Sequence, residues 1–304
     1  MSITTLRLGT RGSLLARAQS QLVAGAIELA NDGVRVELVI LKTTGDRVQD
    51  KSLADLGGKG LFTKELEQAL LRGEIDLAVH SYKDVPVTMP LVDQANLVIT
   101  AVPRREDPRD VLIVRGDARA IAELQANARV GTGSLRRRCQ LLAIREDLMI
   151  EPIRGNIDTR LSKLGNGDFD AIVLAYAGLK RTGLYDAACS TILPADQLIP
   201  SPGQGALALQ TRRDDPATHR LLEPLHDAET GLCVDTEREV VRLLNGDCHS
   251  PIAAHATVAG DRLTLVAAVG QENGQLPVVR ALQNGAVTDH QWIAEIVASR
   301  LIKA

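Results

Sequence analysis

Through the first two hundred residues, short apolar runs alternate with stretches whose apolar residues recur every three or four positions. No other feature limits the fold so strongly, because repeated strand–helix units require mainly parallel sheets with helices on both faces. Residues 13–30 read as a helix with Leu15, Ala18, Leu22 and Leu29 on one face and Ser13 as N-cap. Residues 34–41 read as a buried strand, 66–71 as part of a helix that Gly73 terminates, and 75–80 as the next strand. The pattern returns as strands at 110–114, 129–131, 149–153 and 171–175, with helices at 121–124, 135–144 and 157–164. Two proline-bounded stretches, 103–108 and 198–205, break the rhythm and read as crossings between domains. Beyond about residue 218 a helix at 230–244, antiparallel strands at 253–258 and 263–269, and a helix at 291–302 predict a small α+β domain.

A chain of 304 residues exceeds one typical core, so several domains are expected. A net charge of −3 argues against binding nucleic acid by bulk attraction. Apolar runs such as 171–179 are far too short to span a membrane, and residues 1–12 hold no apolar stretch of signal-peptide length. Four scattered cysteines with no CxxC spacing favour a reduced, cytoplasmic setting.

The chemistry concentrates in turns. Leu77-Ala78-Val79-His80-Ser81-Tyr82-Lys83-Asp84-Val85-Pro86 is an apolar strand that ends on a hydroxyl, an ammonium and a carboxylate. Strand ends of this kind carry ligands in α/β sheets, and Pro86 places residues 81–84 at an edge or on a loop. Four further glycine- or serine-rich turns each carry a cation beside a predicted helix start. They are Gly9-Thr10-Arg11-Gly12-Ser13, Gly57-Gly58-Lys59-Gly60-Leu61-Phe62, Gly131-Thr132-Gly133-Ser134-Leu135-Arg136-Arg137-Arg138, and Arg154-Gly155-Asn156 with Arg160 a turn later. Helix N-termini and guanidinium groups both favour anions, so four such turns in an acidic chain point to a polyanionic ligand. No P-loop is present, and Arg136 stands where a dinucleotide fingerprint needs its third glycine. Cys248, between Gly246 and Pro251, lies in a turn where a thiol is available for covalent chemistry. Cys139, Cys189 and Cys233 lie in helical patterns and read as structural. No zinc spacing forms around Cys248, His249 and His255.

Nine collinear segments (7–13, 57–62, 79–86, 105–110, 131–137, 154–163, 177–181, 203–206 and 248–252) closely resemble the porphobilinogen deaminase (hydroxymethylbilane synthase) family. The resemblance implies two lobes like those of periplasmic binding proteins, flanking a cleft, and a small third domain. It divides the chain into domain 1 (1–99 and 200–218), domain 2 (100–199) and domain 3 (219–304). It implies stepwise condensation of four porphobilinogen units onto a dipyrromethane primer with loss of ammonia, followed by hydrolytic release, in haem and chlorophyll biosynthesis. The primer would hang by a thioether from Cys248, with Lys83, Ser81, Thr132, Ser134, Arg136, Arg137 and Arg160 holding its acid groups. Arg11, Ser13, Arg154 and Arg181 would serve the substrate or growing chain, Lys59 and Phe62 would belong to a loop over the cleft, and Asp84 would be the catalytic carboxylate. A cytoplasmic monomer without metal, nucleic acid or membrane partner is implied. Asp55 and Gly133 depart from the family pattern, in which some members have a lysine at the first position and a serine is common at the second. A non-enzymatic two-lobed protein that binds or senses a carboxylate ligand is the alternative that fold alone permits.

Overall fold

The computed structural model describes residues 4–41, 63–87, 93, 95–247 and 249–303. They form two compact units, Met1–Arg105 with Ala206–Gly231, and Glu106–Gly205 with Leu232–Ala304. In chain order the described elements begin β1 (Thr4–Arg11), α1 (Leu14–Ala30), β2 (Val34–Leu41), α2 (Lys64–Leu71), β3 (Leu77–Ser81) and β4 (Leu97–Ala101). They continue β5 (Asp110–Val114), β6 (Arg129–Gly131), α3 (Leu135–Ile144), β7 (Met149–Glu151), α4 (Ile157–Gly165), β8 (Ala171–Ala175), α5 (Tyr176–Thr182) and β9 (Ser190–Ile192). The last are β10 (Leu207–Arg212), α6 (Pro216–Leu222), α7 (Ala228–Leu243), β11 (Ile252–Ala259), β12 (Arg262–Val269), β13 (Val279–Ala286) and α8 (His290–Lys303).

The first unit carries a sheet of order β2-β1-β3-β10-β4, parallel except that β10 runs against both neighbours. Leu6, Leu8, Leu77 and Val79 pack with Val23 and Ile27 of α1 on one face. Ile75, Ala78 and Leu97 pack with Leu66 and Leu70 of α2 on the other. Any Cβ at position 9 would collide with Ile75, so Gly9 permits this close approach.

Helix α1 and strand β2 depart from the pattern their sequence predicts. Helix α1 exists with Ser13 as its cap, but it buries Gln19, Ser20, Val23 and Ile27, while Leu22 and Leu29 are 53% and 88% exposed. The buried stripe runs through Gln19, Ser20, Val23 and Ile27, with Leu15 and Ala18 half-buried at its margin. Strand β2 is no buried strand but the sheet's edge, and Val34, Val36 and Leu38 are only partly covered.

The second unit repeats the same plan, with order β7-β6-β8-β5-β9 and β5 antiparallel to both neighbours. Period-two alternation explains why β5 is apolar throughout after its first residue. Leu112 and Val114 face a cluster containing Leu141 and Leu142 of α3, while Val111 and Ile113 face one containing Leu164 and Leu179. The stretch expected to be a helix at 121–124 is a single 3₁₀ turn, Ile121–Glu123, too short to cross the sheet. Cys189 sits in the turn before β9 rather than in a helix.

At the C-terminal end a β11-β12-β13 antiparallel sheet packs Leu263 and Leu265 against Val240 of α7 and Ile293 and Val297 of α8. Strand β13 carries no strong sequence signal, because Ala281 is its one buried residue. The two mainly parallel α/β sheets and the small C-terminal α+β element are the fold class expected from the sequence. Among the described residues no helix is long and apolar enough to cross a membrane.

Candidate active site

In the first unit, β1 and β3 are parallel neighbours, with Leu8 opposite Leu77 and Gly9 opposite Ala78. Arg11 and Ser81, the last residues of these strands, therefore reach the same edge of the sheet. Ser81 is not at a sheet edge, as Pro86 had suggested, because β3 is a central strand in which Ser81 pairs with Leu207. Only beyond it does the chain leave the ladder, in one 3₁₀ turn, Tyr82–Asp84. Tyr82 is buried and its N–H donates to Ala206 O (3.0 Å). This peg leaves Lys83 half-buried and Asp84 exposed. The Ser81 hydroxyl is engaged by the buried Gln19 amide (3.0 Å from Nε2), and Ser13 Oγ accepts from Ala16 N at 3.3 Å, capping α1.

His80 is the buried residue of β3 that precedes Ser81. Its Nε2 is 2.9 Å from Gln210 Oε1, and Gln210 Nε2 donates to Glu67 Oε1 at 3.1 Å. A carboxylate partner orients the amide so that its oxygen faces the ring, which assigns the His80 proton to Nε2. Burial pulls the imidazole down to about 4; the Gln210 bond opposes this, the Arg11 charge reinforces it, and Asp84 opposes it. Arg11 and Asp84 thus both act on a ring that is neutral near pH 7.

In the second unit, parallel β7, β6 and β8 point their carboxyl ends to one edge, and antiparallel β5 starts there, with Asp110 opposite Ala175. The candidates at 132–137, 154–160 and 181 follow β6, β7 and β8 in turn, so the topology delivers all of them to that edge. Ser134 caps α3, its Oγ accepting from Arg137 N at 3.4 Å, and Thr132 Oγ1 accepts from Ser134 N at 3.2 Å. Arg136 and Arg137 are buried, not spread on the surface. Arg136 Nη1 donates to Asp110 Oδ2 (2.8 Å) and Ile199 O (2.7 Å). Arg137 donates from Nη2 to Asp110 Oδ1 (2.8 Å), from Nε to the same oxygen (3.2 Å), and from Nη1 to Val173 O (2.9 Å). Burial pushes the Asp110 carboxyl upward, but the two guanidiniums outweigh it and hold it well below the usual carboxylate range. Two buried cations face this one carboxylate, and Arg136 Nε is buried with no hydrogen-bond partner.

Arg181 is half-buried, with Nη2 donating to Gly205 O at 2.7 Å; burial lowers its pKa, opposed by Glu106. Arg160 Nε donates to Gly155 O (2.8 Å), folding the 154–156 turn onto α4, and Arg154 is exposed. At Gly133 an added Cβ would lie 3.2 Å from Ile153 O, so the missing serine would fit tightly. Cys248, Lys59, Phe62 and Asp55 lie outside the described residues.

Sequence reasoning missed Asp110 and Gln204 as site components. Asp110 carries a legible signal, a carboxylate heading the run Val111-Leu112-Ile113-Val114, which cannot be buried without cations. Gln204, between two glycines, carries none.

Donor-rich edges of this composition suit acid-bearing ligands. Residues 6–220 match the family model described as porphobilinogen deaminase, dipyromethane cofactor binding domain, and residues 231–303 match porphobilinogen deaminase, C-terminal domain. The chain is 46% identical to the porphobilinogen deaminase of Syntrophobacter fumaroxidans over 302 residues, covering 99% of this chain and 96% of that protein. It is 46% identical to that of Trichlorobacter lovleyi over 304 residues (100% and 95%). It is 48% identical to that of Xanthomonas oryzae pv. oryzae over 303 residues (98% and 96%). Among solved structures, the periplasmic aliphatic sulphonate binding protein SsuA from Escherichia coli shares 14% identity at a TM-score of 0.41, over 80% of this chain and 71% of that one. That score is too low to establish a common fold.

Proposed function

The chain belongs to the porphobilinogen deaminase family, and from that premise we infer that it condenses four porphobilinogen units, each losing ammonia, onto a dipyrromethane primer. Hydrolysis then releases hydroxymethylbilane, in tetrapyrrole biosynthesis. The observation that carries this reading is the collinear match to both family models together with full-length relatives of the same name.

The residues at the second unit's edge fit an acid-bearing primer. Their hydroxyl and guanidinium groups are donors, the buried charge is positive in excess, and Arg136 Nε is a buried donor without a partner. When bound, dipyrromethane supplies the nucleophilic pyrrole carbon from which the chain grows. We assign its anchor to the Cys248 sulfur through a thioether, and its acid groups to Lys83, Ser81, Thr132, Ser134, Arg136, Arg137 and Arg160. Ser81 would act with its hydroxyl already shared with Gln19. Arg11, Ser13, Arg154 and Arg181 serve porphobilinogen and the growing chain, and Lys59 and Phe62 belong to a covering loop. The functional division into 1–99 with 200–218, 100–199 and 219–304 and a cytoplasmic, monomeric state without nucleic-acid or membrane partners complete the proposal.

Asp84 is the catalytic carboxylate of this reading. Loss of ammonia leaves positive charge on the pyrrole of porphobilinogen, and an exposed carboxylate at a strand's carboxyl end stabilises that charge and favours the later proton loss. One ion pair near 4 Å at an effective dielectric of about 20 supplies about 4 kcal/mol, or about three decades of rate.

The test is the intact mass of protein purified from a porphobilinogen-producing host, followed by its turnover of porphobilinogen. The expected result is a covalent excess on Cys248 and ammonia release. An unmodified chain that binds but does not consume porphobilinogen would overturn the enzymatic reading in favour of a carboxylate-binding protein.

A further inference from the structure

The deaminase chemistry gives no role to the buried amide of Gln204. Gln204 is 1% exposed and stands between Gly203 (φ 72°) and Gly205 (φ 86°). Both hydrogens of its Nε2 are committed, one to Pro108 O (2.6 Å) and one to Asp110 Oδ1 (2.8 Å). That oxygen also receives Nε and Nη2 of Arg137, while the other carboxylate oxygen receives Arg136. We propose that Gln204 is a positioning residue that sets the guanidiniums of Arg136 and Arg137 through Asp110, and that its turn simultaneously sets Arg181.

The geometry of the turn supports both halves of this statement. A carboxylate pulled only by two arginines can pivot with them, and a third donor from a different segment removes that freedom. Gln204 can supply such a donor because its own backbone is held from two sides. Its N–H donates to Ser201 O (2.9 Å), and the preceding N–H, of Gly203, donates to Glu237 Oε2 at 2.7 Å. Glu237 is itself fully buried and takes Ala256 N on its other oxygen at 2.8 Å. On the far side, Gly205 O receives Arg181 Nη2 (2.7 Å) and Glu106 N (3.2 Å). A Cβ at position 205 would collide with Glu106 O, so the turn cannot slide. Two cations assigned to the primer, Arg136 and Arg137, and one assigned to porphobilinogen and the growing chain, Arg181, therefore take their orientation from two consecutive residues. A buried amide that merely fills space would affect stability but not the affinity of those cations for carboxylates.

This inference rests on the deaminase reading, so the parent holoenzyme is assayed first; failure to turn over porphobilinogen overturns that reading and is seen before any variant is made. In primer-loaded Gln204→Met, which keeps the volume and removes the donors, KM for porphobilinogen is expected to rise about tenfold while kcat changes less than about threefold. A KM within about twofold of the parent overturns the proposal. If Gln204→Met does not fold or load, Gln204→Glu replaces it, keeping the shape but setting a second carboxylate against Asp110. Its KM is expected to rise and to recover toward the parent as pH falls and the new carboxyl regains a proton to donate. A parent-like KM at all pH values overturns the proposal equally.

Discussion

Asp84 and Asp110 are carboxylates at the same kind of place, the carboxyl edge of an α/β sheet, and their surroundings give them opposite work. Asp84 is exposed on a 3₁₀ turn pegged by Tyr82. Asp84→Asn is therefore expected to leave the thermal midpoint unchanged and to lower kcat by about three decades; unchanged kcat in steady-state assays would remove it from the chemistry. Asp110 is fully buried between two guanidiniums. Asp110→Asn leaves buried cations under-compensated, and urea unfolding is expected to report a loss of about 3–5 kcal/mol. A loss below about 1 kcal/mol would show that Arg136 and Arg137 need no internal counter-charge. Asp84's place was legible because a polar triplet closed an apolar run. Asp110's pairing was not, since nothing local to either segment reveals that β5 runs beside β8 and opens next to α3.

At the scale of elements, the loops and helices that follow β1, β3, β6, β7 and β8 carry the described candidate groups, and parallel pairing is what collects them at one edge of each sheet. The strand–helix alternation was readable because apolar periodicity survives in β3, β5, α3 and β8, each buried along most of its length. It failed for α1's face, for the burial though not the bounds of β2, and for β13, where partial burial weakens the pattern that burial selects. The return crossover shows the converse case, an irregular segment specified more tightly than many helices. Gly205 combines positive φ with a backbone contact that leaves no room for Cβ. Gly205→Ala is expected to cost about 1–3 kcal/mol in chemical denaturation and to raise KM for porphobilinogen through Arg181. Stability and KM both equal to the parent's would contradict the geometry.

At the scale of the whole molecule, buried ionisable groups link stability to pH. His80 is held at about 4 in the fold against 6.5 in a solvated chain. Above pH 6.5 both states are neutral and the stability is complete. As pH falls from there toward 4, the unfolded chain takes up a proton that the folded chain refuses, so stability declines by about 3 kcal/mol. Asp110 acts in the same sense at lower pH, its contribution being complete above the ordinary carboxylate range and lost below it. Urea midpoints measured from pH 7 to pH 4.5 are expected to fall, and to fall less in His80→Gln; equal slopes for the two proteins would place the linkage elsewhere.

The sequence by itself determined the alternating α/β plan, the turns that carry hydroxyls and cations, and the family, because these depend on local periodicity and on short collinear motifs. Tertiary structure alone decided which cations are buried, which carboxylate holds them, and which amide holds that carboxylate. Those partners lie on β5, α3 and the return crossover, 26 to 94 residues apart in the chain. Burial and hydrogen bonding are set by what folding brings near, and the spacing of residues along a chain does not encode that.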